Sequence, residues 1–262
     1  MRDLVAALSL NRRTFLQSVT GATLCSTLGP TLRAAPNRFS KAVVVTFGGG
    51  ARDDETFSPA GRQYIPRMLA DLTPRATFYS RVVNRGILGH YVANASLVSG
   101  VYETINNFTG APPQNPTVFE YFRKDLKRPA SDVWVIAPSI GFDRIGESSH
   151  RAYGGGLGAG VILPKRLLAS VVGPGGHQEF DHLLHDNYET PLHVPELSRE
   201  RETVDQLGSL LKLSVDDFTG HARTLTSPDE LSVFIAKRLM KRYAPSLLWI
   251  TLHDIDIAHS GT

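Results

Sequence analysis

A chain of 262 residues and 28.7 kDa has room for one α/β domain of roughly 200 to 250 residues and can bury a substantial core. Hydrophobic residues make up 42% and charged residues 20%, which excludes disorder as the main state. No apolar run reaches the roughly 18 to 20 residues that span a bilayer, which excludes an integral membrane protein. The net charge of +3 does not imply a nucleic-acid partner. Four of the 28 basic residues and one of the 25 acidic ones lie in residues 1–34, so the remainder holds 24 of each and offers no phosphate-binding stripe.

The first element reads as a leader. Asn11-Arg12-Arg13-Thr14-Phe15-Leu16-Gln17 sets an arginine pair two residues before Phe-Leu, and a weakly apolar stretch rich in Ser, Thr and Gly follows from Ser18 to Leu32. This resembles a twin-arginine signal peptide, with Asn11 in the usual Ser or Thr position and Gln17 in the usual Lys position. The expected boundary is near Leu32-Arg33-Ala34-Ala35, giving a signal over 1–34 and an α/β domain over 35–262. The resemblance implies the twin-arginine export machinery as a partner and a periplasmic or secreted destination. The other reading is an ordinary first amphipathic helix with two exposed arginines. The single cysteine, Cys25, lies inside the leader, so the mature chain would have neither a disulfide framework nor a cysteine-ligated zinc.

From there strands and helices alternate. Ala42 to Phe47 (AVVVTF), ending in Gly48-Gly49-Gly50, has the pattern of a strand buried on both faces and followed by a turn. Pro59 to Leu72 carries Ile65, Met68, Leu69 and Leu72 at helical spacing, with Pro66 marking the start. Ala76 to Val83 reads as the second strand. Val92 to Val101 and Pro116 to Leu126 read as helices, and Asp132 to Ala137 (DVWVIA) as the third buried strand. Residues 139–199, rich in Gly, Pro and His, show little periodicity and read as a long surface insertion. Helices follow at Arg201 to Leu213 and at Pro228 to Tyr243, the latter with Ser227 as N-cap and Asp229 and Glu230 at the positive end of the dipole. Ser246 to Leu252 (SLLWITL) reads as the fourth strand. The fold class is therefore α/β, a mostly parallel sheet with helices on both faces.

Ligands of open parallel sheets gather beyond the carboxyl ends of the strands, and here those ends carry acid and imidazole. After the fourth strand come His253, Asp254, Asp256 and His259. Their hard oxygens and borderline nitrogens suit a divalent metal such as Zn, Mn or Fe, and Asp254 and Asp256 project to the same side if the chain stays extended. After the first strand, Gly48-Gly49-Gly50 either cradles an anion with backbone N–H groups or is a flexible turn. Asp53, Asp54 and Glu55 either supply carboxylates or cap a helix. His90 precedes a helix, where it either helps to hold phosphate or sulfate or packs in the interior. The His177, His182, His185 and His193 cluster reads as a solvated loop.

Four segments, VVVTFGGG, GHYVANASLVSGVYE, NPTVFEYFRK and SLLWITLHDIDIAHSG, together look like the alkaline phosphatase and sulfatase superfamily. The most specific piece is Ala95-Ser96-Leu97-Val98-Ser99-Gly100-Val101-Tyr102, similar to the segment that follows the nucleophile in sulfatases and nucleotide pyrophosphatases. Pro116-Thr117-Val118-Phe119 stands where those families place a Pro/Thr-Thr pair. The resemblance covers about residues 40–140 and 244–262. It implies an alkaline phosphatase-like fold and a metal-dependent hydrolase of phosphate or sulfate esters. The divalent metal would be Zn, Mn or Ca, held by Asp254, Asp256 and His259 with Asp53 or Asp54. Gly49, Gly50 and His90 would bind the anion. Counting back from Gly100, the nucleophile position is His90, neither a hydroxyl nor a thiol. The family's Asp-x-x-x-His pair is matched by neither Asp256 to His259 nor Asp254 to His259. These departures, with the short distance from His259 to Thr262, give the expectation of a truncated member whose C-terminal part is missing. They also leave a rival function, a non-catalytic exported metal- or anion-binding protein on the same fold.

Overall fold

A computed structural model describes residues 41–153, 155–184, 205 and 207–260. The signal-peptide reading of residues 1–34, and His185 and His193, lie outside the described residues. Four strands form one all-parallel sheet: β1 (Ala42–Phe47), β2 (Val133–Ile136), β3 (Gly160–Ile162) and β4 (Leu247–Leu252), in the spatial order β1-β4-β2-β3. The β1–β4 pair is in register from Ala42 opposite Leu247 to Phe47 opposite Leu252.

Among the described residues seven α-helices accompany the sheet: α1 (His90–Ser99), α2 (Val118–Asp125), α3 (Pro164–Gly176), α4 (Asp181–Leu184), α5 (Val215–Ala222), α6 (Pro228–Tyr243) and α7 (Asp254–Ser260). Alternation along the strands sorts their side chains into two cores. Leu248 and Ile250 of β4 and Ile136 of β2 join Leu168, Phe218, Leu231 and Ile235 from the layer of α3, α5 and α6. Leu247 and Trp249 of β4 with Val133 and Val135 of β2 join Val92, Ala95 and Val98 of α1 and Phe119 of α2. The result is helix, sheet, helix, the layering that four apolar strands separated by helices lead one to expect.

Capping explains the sharpest helix boundaries. Thr117 accepts from Glu120 N–H while the Glu120 carboxylate takes Thr117 N–H, a reciprocal box buried at the start of α2. Ser227 accepts from Glu230 N–H before Pro228 at the first position of α6, as the sequence predicts to the residue.

Four expectations are corrected. β1 is a strand but not buried on both faces: Val44 packs beside Trp249, whereas Val43, Val45 and Phe47 remain about half exposed, because the layer of α3 to α6 does not extend over β1. Pro59 to Leu72 forms no continuous α-helix. A 3-10 turn at Gly61–Tyr64 comes first, and the helical segment that starts at Pro66, where the sequence places it, runs into a π-helical turn at Met68–Leu72. Ala76 to Val83 is not a strand; the described chain there is irregular and exposed. Its place as fourth strand is taken by Gly160–Ile162, so the span 139–199 is no mere surface insertion. The described part contributes β3, α3 and buried Leu167, Leu168, Phe180 and Leu183. The three-residue strand was illegible because its period of two has no room to show.

Candidate functional site

The carboxyl edge of the β1–β4 pair is closed by tight backbone packing. Gly48 N–H donates to Leu252 O at 2.7 Å, extending the ladder one residue past β1. A Cβ on Gly48 would lie 2.7 Å from His253 Cδ2, and one on Gly49 would lie 2.4 Å from Asp256 Cα. Gly49 and Gly50 have φ of +85° and +65°, the left-handed region where glycine is preferred. Two of these glycines are therefore required by the approach of the β4–α7 turn, which gives the turn reading of Gly48-Gly49-Gly50 a physical basis.

On that edge an imidazole meets a carboxylate. His90, the first residue of α1, places Nε2 3.3 Å from Asp256 Oδ1 on α7. Its ring also lies 5.3 Å, centroid to centroid, from buried His253, which packs on Phe142 at the same distance. A polar chain from the sheet positions His90. Asn94 donates to His90 O from one turn further along α1, and its Oδ1 lies 3.1 Å from Thr46 Oγ1, itself 3.1 Å from Thr251 Oγ1. α1 is thus tied to both β1 and β4 directly beneath the imidazole.

The second imidazole takes different partners. His259 Nδ1 lies 3.1 Å from Gly49 O and Nε2 lies 2.9 Å from Glu55 Oε1. The Glu55 carboxyl is held below the usual carboxylate range, first by the Arg52 N–H that it accepts and then by His259. Asp53 and Asp54 are exposed in the 3-10 turn Asp53–Glu55, where Asp54 accepts the Ser58 hydroxyl. Of the three acids in this run, Glu55 meets His259.

Asp254 and Asp256 do not project together. The chain turns helical at Asp254, so residues two apart point to opposite sides rather than the same side. Asp256 faces His90, while Asp254 Oδ1 accepts Asp229 N–H at 3.2 Å. Asp229 in turn accepts His253 N–H at 2.7 Å and Asp254 N–H at 2.9 Å, clasping the β4–α7 turn from the start of α6. Burial pushes its carboxyl up to about 6 against the pull of those two N–H groups; the nearby Asp254 charge adds to the rise, and that of buried Lys165 opposes it. Asp229 read in sequence only as a favourable charge at a helix start, which is also true but conceals its larger task.

The α1 terminus offers less to an anion than its position implies. Asn107 Oδ1 accepts Tyr91 N–H at 2.9 Å and Val92 N–H at 3.3 Å, so a side chain already caps the first amides of the helix. Gly89 allows this approach, since a Cβ there would lie 2.6 Å from Asn107 Oδ1.

The donors fall into pairs, His90 with Asp256 and His259 with Glu55. Among the described residues no group of three or more His, Cys, Asp or Glu is disposed to hold a metal ion. That falls short of the three protein ligands a catalytic zinc takes. Gly48, His90 and Asp254 do share the carboxyl edge of adjacent parallel strands. No family model, curated protein or solved structure matches the chain.

Proposed function

We propose that the chain is an exported hydrolase of phosphate or sulfate esters, with His90 as general base and Asp256 as the carboxylate that orients it. The observation that carries this reading is the imidazole–carboxylate contact at 3.3 Å on the carboxyl edge of a parallel sheet. A carboxylate at Nε2 favours the tautomer with the proton on that nitrogen, which makes Nδ1 the basic atom. Nδ1 takes a proton from water as the water oxygen bonds to phosphorus or sulfur. The ester bond breaks on the opposite side, and the departing oxygen takes a proton from solvent. Asp256 stabilises the imidazolium formed in between. A divalent metal such as Zn, Mn or Ca, as the resemblance implies, would find two donors at a time here, His90 with Asp256 or His259 with Glu55.

The test is hydrolysis of p-nitrophenyl phosphate and p-nitrophenyl sulfate by wild type and His90→Ala. Loss of about a hundredfold or more in kcat with the variant supports the base role. The rival reading is a non-catalytic exported binder of an anion or a metal. It is established if wild type hydrolyses neither ester yet binds inorganic phosphate, sulfate or Zn²⁺ in a His90-dependent way. For export, replacing Arg12 and Arg13 together with Lys should retain the protein in the cytoplasm, and an unchanged periplasmic yield would exclude the twin-arginine route.

A further inference from the structure

The segment between Thr73 and His90 combines two features that ordinary surface loops lack. Its large apolar residues point outward: Phe78, Tyr79, Val82, Val83, Ile87 and Leu88 are all exposed, Val82 at 82% and Leu88 at 84%. Its charge has one sign, because Arg75, Arg81 and Arg85 lie in it and no Asp or Glu occurs between Asp71 and Glu103. Arg81 and Arg85 are exposed beside the apolar side chains. The base of the loop is anchored. Phe78 packs on Phe57 at 4.5 Å, Asn84 Oδ1 accepts Gly86 N–H at 2.8 Å, and Tyr102 packs so closely on Gly86 that a Cβ would lie 2.5 Å from its ring.

We propose that the loop 76–88 is a membrane-surface anchor that inserts its apolar side chains at the headgroup boundary of an anionic bilayer while Arg81 and Arg85 contact lipid phosphates. The charge complementarity selects the lipid: cations interspersed among apolar groups suit a negatively charged interface. The shape selects a bilayer over a protein. Valine and leucine side chains exposed to more than four-fifths protrude singly and need a matching pocket on a protein partner, whereas a headgroup region yields to any protruding apolar group. His90 follows Leu88 by two residues, so docking at this loop brings the candidate site next to the lipid surface. The proposal stands independently of hydrolysis.

The experiment is co-sedimentation of the full chain with phosphatidylcholine vesicles, with and without about 30% phosphatidylglycerol. Wild type is compared with Arg81→Glu/Arg85→Glu and with Val82→Asp/Leu88→Asp. Residues 1–40 are common to all three proteins, so differences belong to the loop. Each arginine near an anionic surface is worth about fivefold in binding, so the double charge reversal should weaken binding at least about 25-fold. The apolar variant should lose at least about tenfold, and wild-type binding should fall with salt and be weak on phosphatidylcholine alone. Both variants replace exposed side chains, so their thermal midpoints should match wild type, which separates lost binding from lost folding. Equal binding of wild type to both vesicle types, or equal binding of wild type and both variants to the anionic ones, overturns the proposal. So does light scattering that shows the Val82→Asp/Leu88→Asp variant dissociating a stable oligomer that does not bind vesicles, because the loop would then be a protein interface.

Discussion

Asp256 carries no chemistry in the proposed reaction except through His90, which makes its removal informative. Asp256→Asn keeps the shape but loses the charge that orients the ring and offsets the imidazolium, so kcat should fall about a hundredfold with KM little changed. Steady-state kinetics on p-nitrophenyl phosphate, with ¹⁵N spectra of the imidazole to follow the tautomer, will check both parts. Asp229 predicts a pH effect of definite sign. Its folded-state value of about 6 stands above the roughly 3.9 of an unfolded aspartate, so the native state binds its proton more tightly between these values. That contribution is complete below about pH 4 and lost as pH rises to about 6. Relative to Asp229→Asn, wild type should therefore lose stability across pH 4 to 6 and run parallel above it, as urea midpoints will show; a gain across that window contradicts the assignment. At this scale the sequence was partly legible. His90, Asp256 and His259 were singled out because strand ends in parallel sheets collect ligands. Asn94 and Asn107 are not, Asp229 reads only as a helix-start charge, and Glu55 reads only as one of three acids that supply carboxylates or cap a helix, since which carboxylate reaches an imidazole depends on tertiary approach across 204 positions of sequence.

Elements were legible where period and punctuation agreed. α6 has an apolar stripe, a serine cap and a proline at its first position, and it forms over the residues that these signals delimit. The Ala76 to Val83 run has β-branched and aromatic residues yet no strand, because a strand needs a paired neighbour as well as propensity. The turn after β1 shows the reverse case, in which glycine identity is explained only by another element. Gly49→Ala would set a methyl 2.4 Å from Asp256 Cα at a positive φ, and α7 would have to move. The cost should be at least about 2 kcal/mol, together with loss of the His90–Asp256 contact. Gly50→Ala, whose Cβ meets nothing within 4 Å, should cost only about 1 kcal/mol for its φ of +65°. Denaturant unfolding of the two variants, side by side, separates steric approach from backbone conformation.

Across the whole molecule, the two helical layers cover the sheet unequally. α1 and α2 reach as far as Val44 on one face, while on the other face α3 to α6 stop short of β1. The arrangement leaves an edge strand of six residues, free of charge and proline, with three large apolar side chains about half exposed on one side. Strands of this kind are templates for association unless a charge or a covering element blocks them. The sequence could not reveal this, since a β-branched run announces burial without saying on which faces. Two substitutions one residue apart test the asymmetry. Val44→Lys places an ammonium against Trp249 and the apolar core around it, and should destabilise by about 2 kcal/mol or more, in the range of buried polar substitutions that lack a partner. Val45→Lys puts the same group on the uncovered face, where its stem lies along the sheet and its head reaches water, so stability should change by less than about 1 kcal/mol. It should also suppress concentration-dependent association in sedimentation velocity, because a charged lysine on an edge strand opposes pairing. Equal destabilisation by the two lysines would mean that both faces of β1 are covered in solution.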